Sequence, residues 1–347
     1  MSSFVCVDPV TVLFALLPPL TAFLATYVVV SLWIRVAESR GIVGRDMNKR
    51  EERMVAEAGG FSVVFGIVLG LFVYILLKGF FGAPADPRYI SAFAVSSALL
   101  FAGFIGFVDD VLGWKKGIPQ YVKPLLTIPI AIPFVSLALL FPEMGRGLSR
   151  FIPLDPATAH LVYALVLVPI GVVGASNAIN MLAGFNGLEA GMSATILFFF
   201  ALHSFLHGNL YIALFSVIGI AALLAFLRFN WYPARVFPGD TLTYAMGAYI
   251  AALAILGDME ILGVVLFIPY FIELILKIRS RLELGTWAEN FGIPQPDGTI
   301  SPRYPKVYSI THILQRIPGM TEQKLVLYIL FFEVLLGMFA LLFLTYL

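Results

Sequence analysis

The sequence predicts an all-α, polytopic membrane helix bundle of about ten transmembrane helices in one domain, 1–347. Three observations point there. Of 347 residues, 60% are hydrophobic and 12% are charged, where a soluble domain carries about 25% charged. Mean hydropathy is +0.94. The apolar residues stand in continuous runs, not in the alternation of a membrane β-barrel. An ordinary soluble enzyme, a disordered chain and a disulfide-stapled secreted fold are excluded. The single cysteine, Cys6, rules out an intrachain disulfide and a multi-cysteine metal site. The 22 basic and 21 acidic residues nearly cancel, so their placement matters more than their sum.

A helix crosses a bilayer with about 20 mostly apolar residues. The first run, Val10 to Ile34, has no charge. Met1 to Asp8 before it has no basic residue, and no small-residue cleavage site follows, so this helix is expected to stay in the protein. Ala58 to Leu77, Ile90 to Val108 and Pro124 to Phe141 come next. Leu161 to Asn177, Gly191 to Leu206 and Leu210 to Leu227 continue the series. Thr241 to Leu256, Ile261 to Lys277 and Leu325 to Leu347 complete it. No internal repeat or low-complexity stretch is visible. The one long connection, 278–324, holds Pro294, Pro296, Pro302, Pro305 and Pro318. It reads as an ordered hydrophilic loop or small subdomain.

Basic residues gather on cytoplasmic loops. The connections after spans one, three, seven and nine hold 18 of the 22 basic residues. They include Arg45, Lys49, Lys115, Lys116, Lys123, Arg235 and Arg303. The other side has Lys78, Arg88, Arg146 and Arg150. Both termini are then outside, and the odd-to-even connections lie in the cytosol.

The unusual polar residues fall on that same inner face. Asp109 and Asp110 end the third span, in GFVDDVLG. Adjacent carboxylates there are solvated, paired or bound to a cation, because a buried bare charge is costly. They read as a solvated helix end, or as a divalent-metal or general-base site. The stretch NAINMLAGFNGLEAG carries Asn177, Asn180, Gly184, Asn186, Glu189 and no cation. It is a glycine turn with asparagine caps, or a ligand loop where amides meet a base edge or sugar hydroxyl. In NWYPARVFPGD, Trp231 and Tyr232 read as interfacial anchors. Asp240 is an N-cap or a third carboxylate beside Asp109 and Asp110, and Phe237 is placed to stack on a base. Glu57 lies against the second span, while the basic residues near it read mainly as topology signals. His203 and His207 read as interfacial, His160 is outside, and His312 has no obvious partner. Glu333 is an intramembrane acid, also without an identifiable partner.

GFVDDVLG, NAINMLAGFNGLEAG and NWYPARVFPGD together resemble the polyprenyl-phosphate N-acetylhexosamine-1-phosphate transferases. The resemblance is strongest to the dolichyl-phosphate N-acetylglucosaminephosphotransferase branch and weaker to the phospho-N-acetylmuramoyl-pentapeptide transferases. It covers nearly the whole chain. The Asn/Gly and NWYP…GD motifs are specific, and the DD pair is not. The resemblance implies that UDP-GlcNAc and dolichyl (polyprenyl) phosphate give GlcNAc-diphosphate-lipid and UMP, the start of a lipid-linked oligosaccharide for protein N-glycosylation. It implies Mg²⁺, with Mn²⁺ as a substitute, held by Asn180 and Asp240. Asp109, Asp110 and Lys123 match the catalytic charged residues. Gly184, Asn186 and Phe237 match the uridine pocket, Glu57 an acid near the sugar, and Glu189 belongs to the same substrate loop. Direct attack by the lipid phosphate is the implied route, with a phospho-aspartate enzyme as the alternative.

One stretch departs from that pattern. Where a basic or histidine-rich motif is expected before Ile293-Pro294, the chain reads Asn290, Phe291, Gly292. Arg303, Arg279 or Arg281 are left to contact the diphosphate, and a different UDP-N-acetylhexosamine comes into question. The expected setting is a multi-pass plasma membrane with a cytosolic site, or the endoplasmic reticulum in a eukaryote. The expected partners are UDP-N-acetylhexosamine, the lipid phosphate and membrane lipid, with a homodimer compatible and no nucleic acid. The rivals are an undecaprenyl phosphate acceptor and, in another class, a nucleotide-sugar or lipid transporter. A transporter usually binds near the midplane and often shows repeats, unlike this one-sided polar cluster.

Overall fold

A computed structural model describes residues 9–81, 88–112, 119, 121–149 and 151–344. Among these, nine helices are long and apolar enough to span a membrane, and a bent pair makes ten. The chain is a multi-pass helical membrane protein. Lys115, Lys116, Arg150 and Cys6 lie outside the described residues.

α1 (Pro9–Arg40) runs the length of the bundle, and large apolar residues such as Leu16, Leu20 and Leu24 remain exposed on it. That surface suits lipid. Two short strands follow, β1 (Val43–Arg45) and β2 (Met54–Ala56), paired antiparallel with Val43 opposite Ala56. α2 (Gly60–Phe81) and α3 (Arg88–Leu112) are the second and third spans.

Proline shapes the next two. The fourth span is not one helix: α4 (Lys123–Thr127) passes through a 3₁₀ turn (Ile128–Ala131) into α5 (Ile132–Leu140). Pro129 and Pro133 have no N–H to donate, so regular helix bonding fails there. A short α6 (Arg146–Ser149) follows. The fifth span begins at α7 (Pro156–Val162), earlier than Leu161. Asp155 caps it, accepting from the Thr158 amide at 3.1 Å, and Pro156 suits the first helical turn. A π-helical stretch (Tyr163–Leu167) then leads into α8 (Val168–Met181). Asn177 and Asn180 are therefore helical residues, not loop residues.

α9 (Leu188–Leu206) and α10 (Leu210–Asn230) form the sixth and seventh spans, and Glu189 sits in the first turn of α9. α11 (Gly239–Leu256) is the central helix, buried at every residue from Thr241 to Ile255. Lipid is as apolar as leucine, so such packing depends on close backbone approach between small residues. Gly106 on α3 shows it. A Cβ there would lie 2.5 Å from the Asp240 carbonyl carbon and from the Thr241 Cα.

The ninth span departs from a continuous Ile261–Lys277 helix. It splits into α12 (Glu260–Leu266) and α13 (Ile268–Leu284), bent by 53°. Pro269, in the first turn of α13, cannot continue the hydrogen-bond ladder from α12. The connection after it is ordered. β3 (Ile293–Pro294) pairs with β4 (Ile300–Ser301), and α14 (Ile310–Leu314) follows. His312 does have partners. Its Nδ1 accepts from the Tyr308 amide at 3.2 Å, and Nε2 donates to the Glu289 carbonyl at 2.9 Å. Burial, then Lys277 and Arg316, push its pKa down to about 4, so it stays a neutral structural link. α15 (Glu322–Leu344) closes the chain. Glu333 lies buried in it, and neither carboxylate oxygen has a hydrogen-bond partner among the described residues.

Candidate active site

Four helix ends meet at one end of the bundle. The last turn of α3 carries Asp109 and Asp110, and α4 begins on Lys123. α8 ends beside Asn180, and α11 begins beside Asp240. Lys123 Nζ lies 2.6 Å from Asp109 Oδ2 and 2.6 Å from Asp240 Oδ2. Asn180 Nδ2 donates to Asp240 Oδ1 at 2.6 Å and to Thr243 Oγ1 at 3.1 Å. One ammonium thus offsets two carboxylates that would otherwise repel at low dielectric.

Asp110 is used differently. Its Oδ1 accepts from the Asp240 amide at 2.7 Å. Its Oδ2 accepts from the Thr241 amide at 3.1 Å and the Thr241 hydroxyl at 2.5 Å. The capping position of α11 is Pro238, which makes no side-chain cap. Asp110 supplies that cap from a neighbouring helix, satisfying orphan amides and placing negative charge at a helix N-terminus. Asp240 is accordingly a first-turn residue, not its own helix's N-cap. A three-carboxylate metal cage of Asp109, Asp110 and Asp240 is not formed: among the described residues, no three acidic, histidine or cysteine side chains converge in that way.

The loop between α8 and α9 forms a second wall. Gly187 has φ +85°, and a Cβ on it would meet the Trp231 ring at 2.6 Å. Glu189 Oε1 accepts from the Gly184 amide at 2.8 Å, and Asn48 Nδ2 donates to the Gly184 carbonyl at 2.8 Å. Asn186 is buried, its Nδ2 donating to Asp46 Oδ2 at 3.1 Å. Its backbone amide donates to Glu322 Oε1 at 2.8 Å. Lys49 pairs with Glu322 and with Asp46, and stands 4.1 Å above the Tyr232 ring. Trp231 and Tyr232 are therefore wall residues of this site as well as aromatic residues near a membrane boundary. They pack on a glycine and a lysine that sequence spacing leaves far apart. Lys49 is likewise more than a topology signal.

Asn290, from the stretch that departs from the expected basic motif, joins the same wall. Its Nδ2 donates to the Met181 and Ala183 carbonyls at 2.9 and 2.8 Å, and its Oδ1 accepts from Lys277. Phe291 lies against Gly184. Arg303 pairs with Glu289 at the surface, and Arg279 pairs with Glu283. Neither contact leads to the carboxylate cluster.

Loop pairing sets Glu57 and Phe237. The Phe237 amide donates to the Ala56 carbonyl at 2.7 Å, and the Gly59 amide to the Phe237 carbonyl at 2.9 Å. Trp33 Nε1 donates to the Glu57 carbonyl at 2.7 Å. Burial, then the nearby Asp240 charge, raise the Glu57 carboxyl pKa above its ordinary 4.5. A raised folded-state pKa stabilises the fold fully below 4.5, and that contribution is lost as pH rises through the folded value. Glu57→Gln is expected to weaken this pH dependence and leave the variant more stable than the parent at neutral pH. Thermal unfolding from pH 4 to 8 checks it, and parallel curves would remove Glu57 from the buried acidic environment.

Asp240 and Asn180 also offer hard oxygen donors at one place. With the Asn180 amide turned over, its Oδ1 would face Asp240 Oδ1. Two such donors, completed by phosphate oxygens and water, fit a small divalent cation better than a closed all-protein cage would.

The sequence model of glycosyl transferase family 4 matches residues 92–258. That span holds Asp109, Asp110, Lys123, Asn180, Asn186, Glu189, Phe237 and Asp240. A relative from Saccharolobus solfataricus is 31% identical over 333 residues, covering 95% of this chain and 96% of the relative. One from Sulfolobus acidocaldarius is 30% identical over 338 residues, covering 97% and 98%. Both are provisionally named UDP-N-acetylglucosamine–dolichyl-phosphate N-acetylglucosaminephosphotransferase. The phospho-N-acetylmuramoyl-pentapeptide-transferase of Staphylococcus carnosus is 32% identical over 231 residues, covering 64% and 69%.

Proposed function

Because the chain belongs to glycosyl transferase family 4, we propose that it transfers N-acetylglucosamine-1-phosphate from UDP-GlcNAc to dolichyl or another polyprenyl phosphate. The products are GlcNAc-diphosphate-lipid and UMP, the first step of lipid-linked oligosaccharide assembly. The observation that carries this reading is Lys123 held between Asp109 and Asp240, with Asn180 on the other Asp240 oxygen. Phosphoryl transfer needs positioned charge more than covalent chemistry. The cluster stands where a lipid phosphate and a water-borne nucleotide can meet. By the distribution of basic residues, that end faces the cytosol.

Asp240 and Asn180 would hold Mg²⁺ or Mn²⁺, which when bound neutralises diphosphate charge and aligns the phosphates. Asp109 accepts the proton of the lipid phosphate. The freed oxygen attacks the β-phosphorus of the UDP-sugar. One P–O bond forms as the bond from that phosphorus to the α–β bridging oxygen breaks, and UMP departs with that oxygen. Lys123 shifts from its carboxylates towards the phosphates as negative charge moves onto UMP. The loop 184–189 holds the nucleotide, with Phe237 across from it.

Purified protein with dolichyl phosphate, Mg²⁺ and a panel of UDP-sugars tests the reading. UMP released only when lipid phosphate and Mg²⁺ are both present is the expected result, and the productive donor names the sugar. Nucleotide binding without UMP from any donor would overturn it. Asn186→Ala is expected to raise the KM for the UDP-sugar about ten-fold, the scale of one lost hydrogen bond involving a charged partner. An unchanged KM would take Asn186 out of the donor pocket. His203 and His207 stack on each other with ring centroids 4.1 Å apart, on the helix end opposite Glu189. Replacing both with alanine is expected to leave turnover within about two-fold, since remote surface changes are usually small. A large loss would require a site at that end.

A further inference from the structure

The loop that carries Asn186 is held from the far end of the sequence. Glu322 opens α15, is 3% exposed, and uses both carboxylate oxygens. Oε1 accepts the Asn186 backbone amide at 2.8 Å. Oε2 pairs with Lys49. Lys49 also reaches Asp46 Oδ2 at 3.3 Å, and that same oxygen accepts Asn186 Nδ2 at 3.1 Å. Asp46 Oδ1 accepts the Asn48 amide at 3.2 Å, and Asn48 Nδ2 holds the Gly184 carbonyl at 2.8 Å. The backbone and the side chain of Asn186 are thus fixed by two carboxylates that share one lysine. Neither carboxylate belongs to the Asp109–Lys123–Asp240 cluster.

We propose that Glu322 is a positioning residue for nucleotide binding, acting through Lys49 and the Asn186 amide to set the pose of the loop 184–189. The inference rests on the transferase reading, in which that loop holds UDP. Its physical basis is geometric. A loop between two helices has many near-equal conformations, and ordering it at the moment of binding reduces affinity. Buried charge-assisted hydrogen bonds select one conformation beforehand. Asn186 is oriented from both sides, so loss of either carboxylate frees the loop without touching the phosphate-binding end.

The test compares wild type with Glu322→Gln, Glu322→Ala and Lys49→Met, as full-length protein in detergent. The readouts are UDP affinity in Mg²⁺, KM for UDP-GlcNAc, KM for dolichyl phosphate and thermal unfolding. Glu322→Gln keeps an acceptor for the Asn186 amide but loses the charge pair. It is expected to weaken UDP binding about ten-fold and to leave the lipid KM within about two-fold. Glu322→Ala is expected to weaken it further. In the Lys49→Met background, Glu322→Gln is expected to add less than its effect alone, because the shared pair is already broken. If Glu322→Ala does not fold, Glu322→Gln and Lys49→Met still decide. UDP affinity unchanged in both, or lipid and donor KM rising by the same factor, would overturn the proposal. Wild-type protein that binds UDP but transfers nothing overturns the transferase reading alone. The binding comparison then still decides the role of Glu322.

Discussion

Asp240→Asn is expected to lower UMP release by about three orders of magnitude, because a lost charged group at a phosphoryl centre is worth several kcal/mol of transition-state stabilisation. The substitution is nearly isosteric. The Asp240 amide keeps its bond to Asp110, and the Asn180 contact lies on one oxygen only. The fold should therefore survive while the charge that balances Lys123 and favours a cation is gone. Turnover measured across a Mg²⁺ titration, beside thermal unfolding, separates the two effects. Normal turnover would take Asp240 out of the catalytic centre. A collapsed unfolding midpoint would make its role structural.

The adjacent acids should behave unlike each other. Asp110→Ala leaves two α11 amides and the Thr241 hydroxyl without their acceptor. At about 1–3 kcal/mol for each buried donor left unpaired, a loss of roughly 3 kcal/mol is a conservative expectation. The unfolding midpoint should fall by roughly 5–10 °C, and activity should fall with it because Asp240 rides on that helix end. Asp109→Asn should instead leave the midpoint nearly unchanged and reduce turnover by about a hundred-fold, the usual scale of a general base. Matching stability losses in the two variants would mean that the pair acts as one unit, against the geometry.

Some of this division could be anticipated from residue order and some could not. DD at a helix end announces that carboxylates are needed there. It does not say which one turns inward, because that depends on the helix across the groove. Gly106 lets α11 approach closely enough for Asp110 to reach its amides. Asn180 and Glu189 were legible as polar residues near a glycine turn. Their helical placement was not, because helices extend past their apolar cores when polar caps satisfy the ends. Asp46, Asn48, Lys49 and Glu322 were hidden for another reason. Three lie in a basic-rich loop whose composition already had an explanation, and Glu322 opens a span nearly three hundred residues away. Arg303 is a different case. A cation in a long hydrophilic connection invites a phosphate role, and in the structure it is paired with Glu289 at the surface.

What the sequence alone determined is whatever follows from chemistry spaced along one segment. Long charge-free runs require helices in lipid, since each backbone amide must find its partner within its own segment. The one-sided distribution of basic residues points to an inner face, and two motifs are specific enough to indicate a family. Tertiary structure alone decided how those motifs share the work. It put Lys123 between Asp109 and Asp240, turned Asp110 onto α11, broke the ninth span at Pro269, and brought Glu322 to Asn186. Each of these is a contact between remote segments or a bend where local bonding fails. Its energy depends on distances of a few ångströms that residue order does not encode, and those distances are set only once the helices have packed.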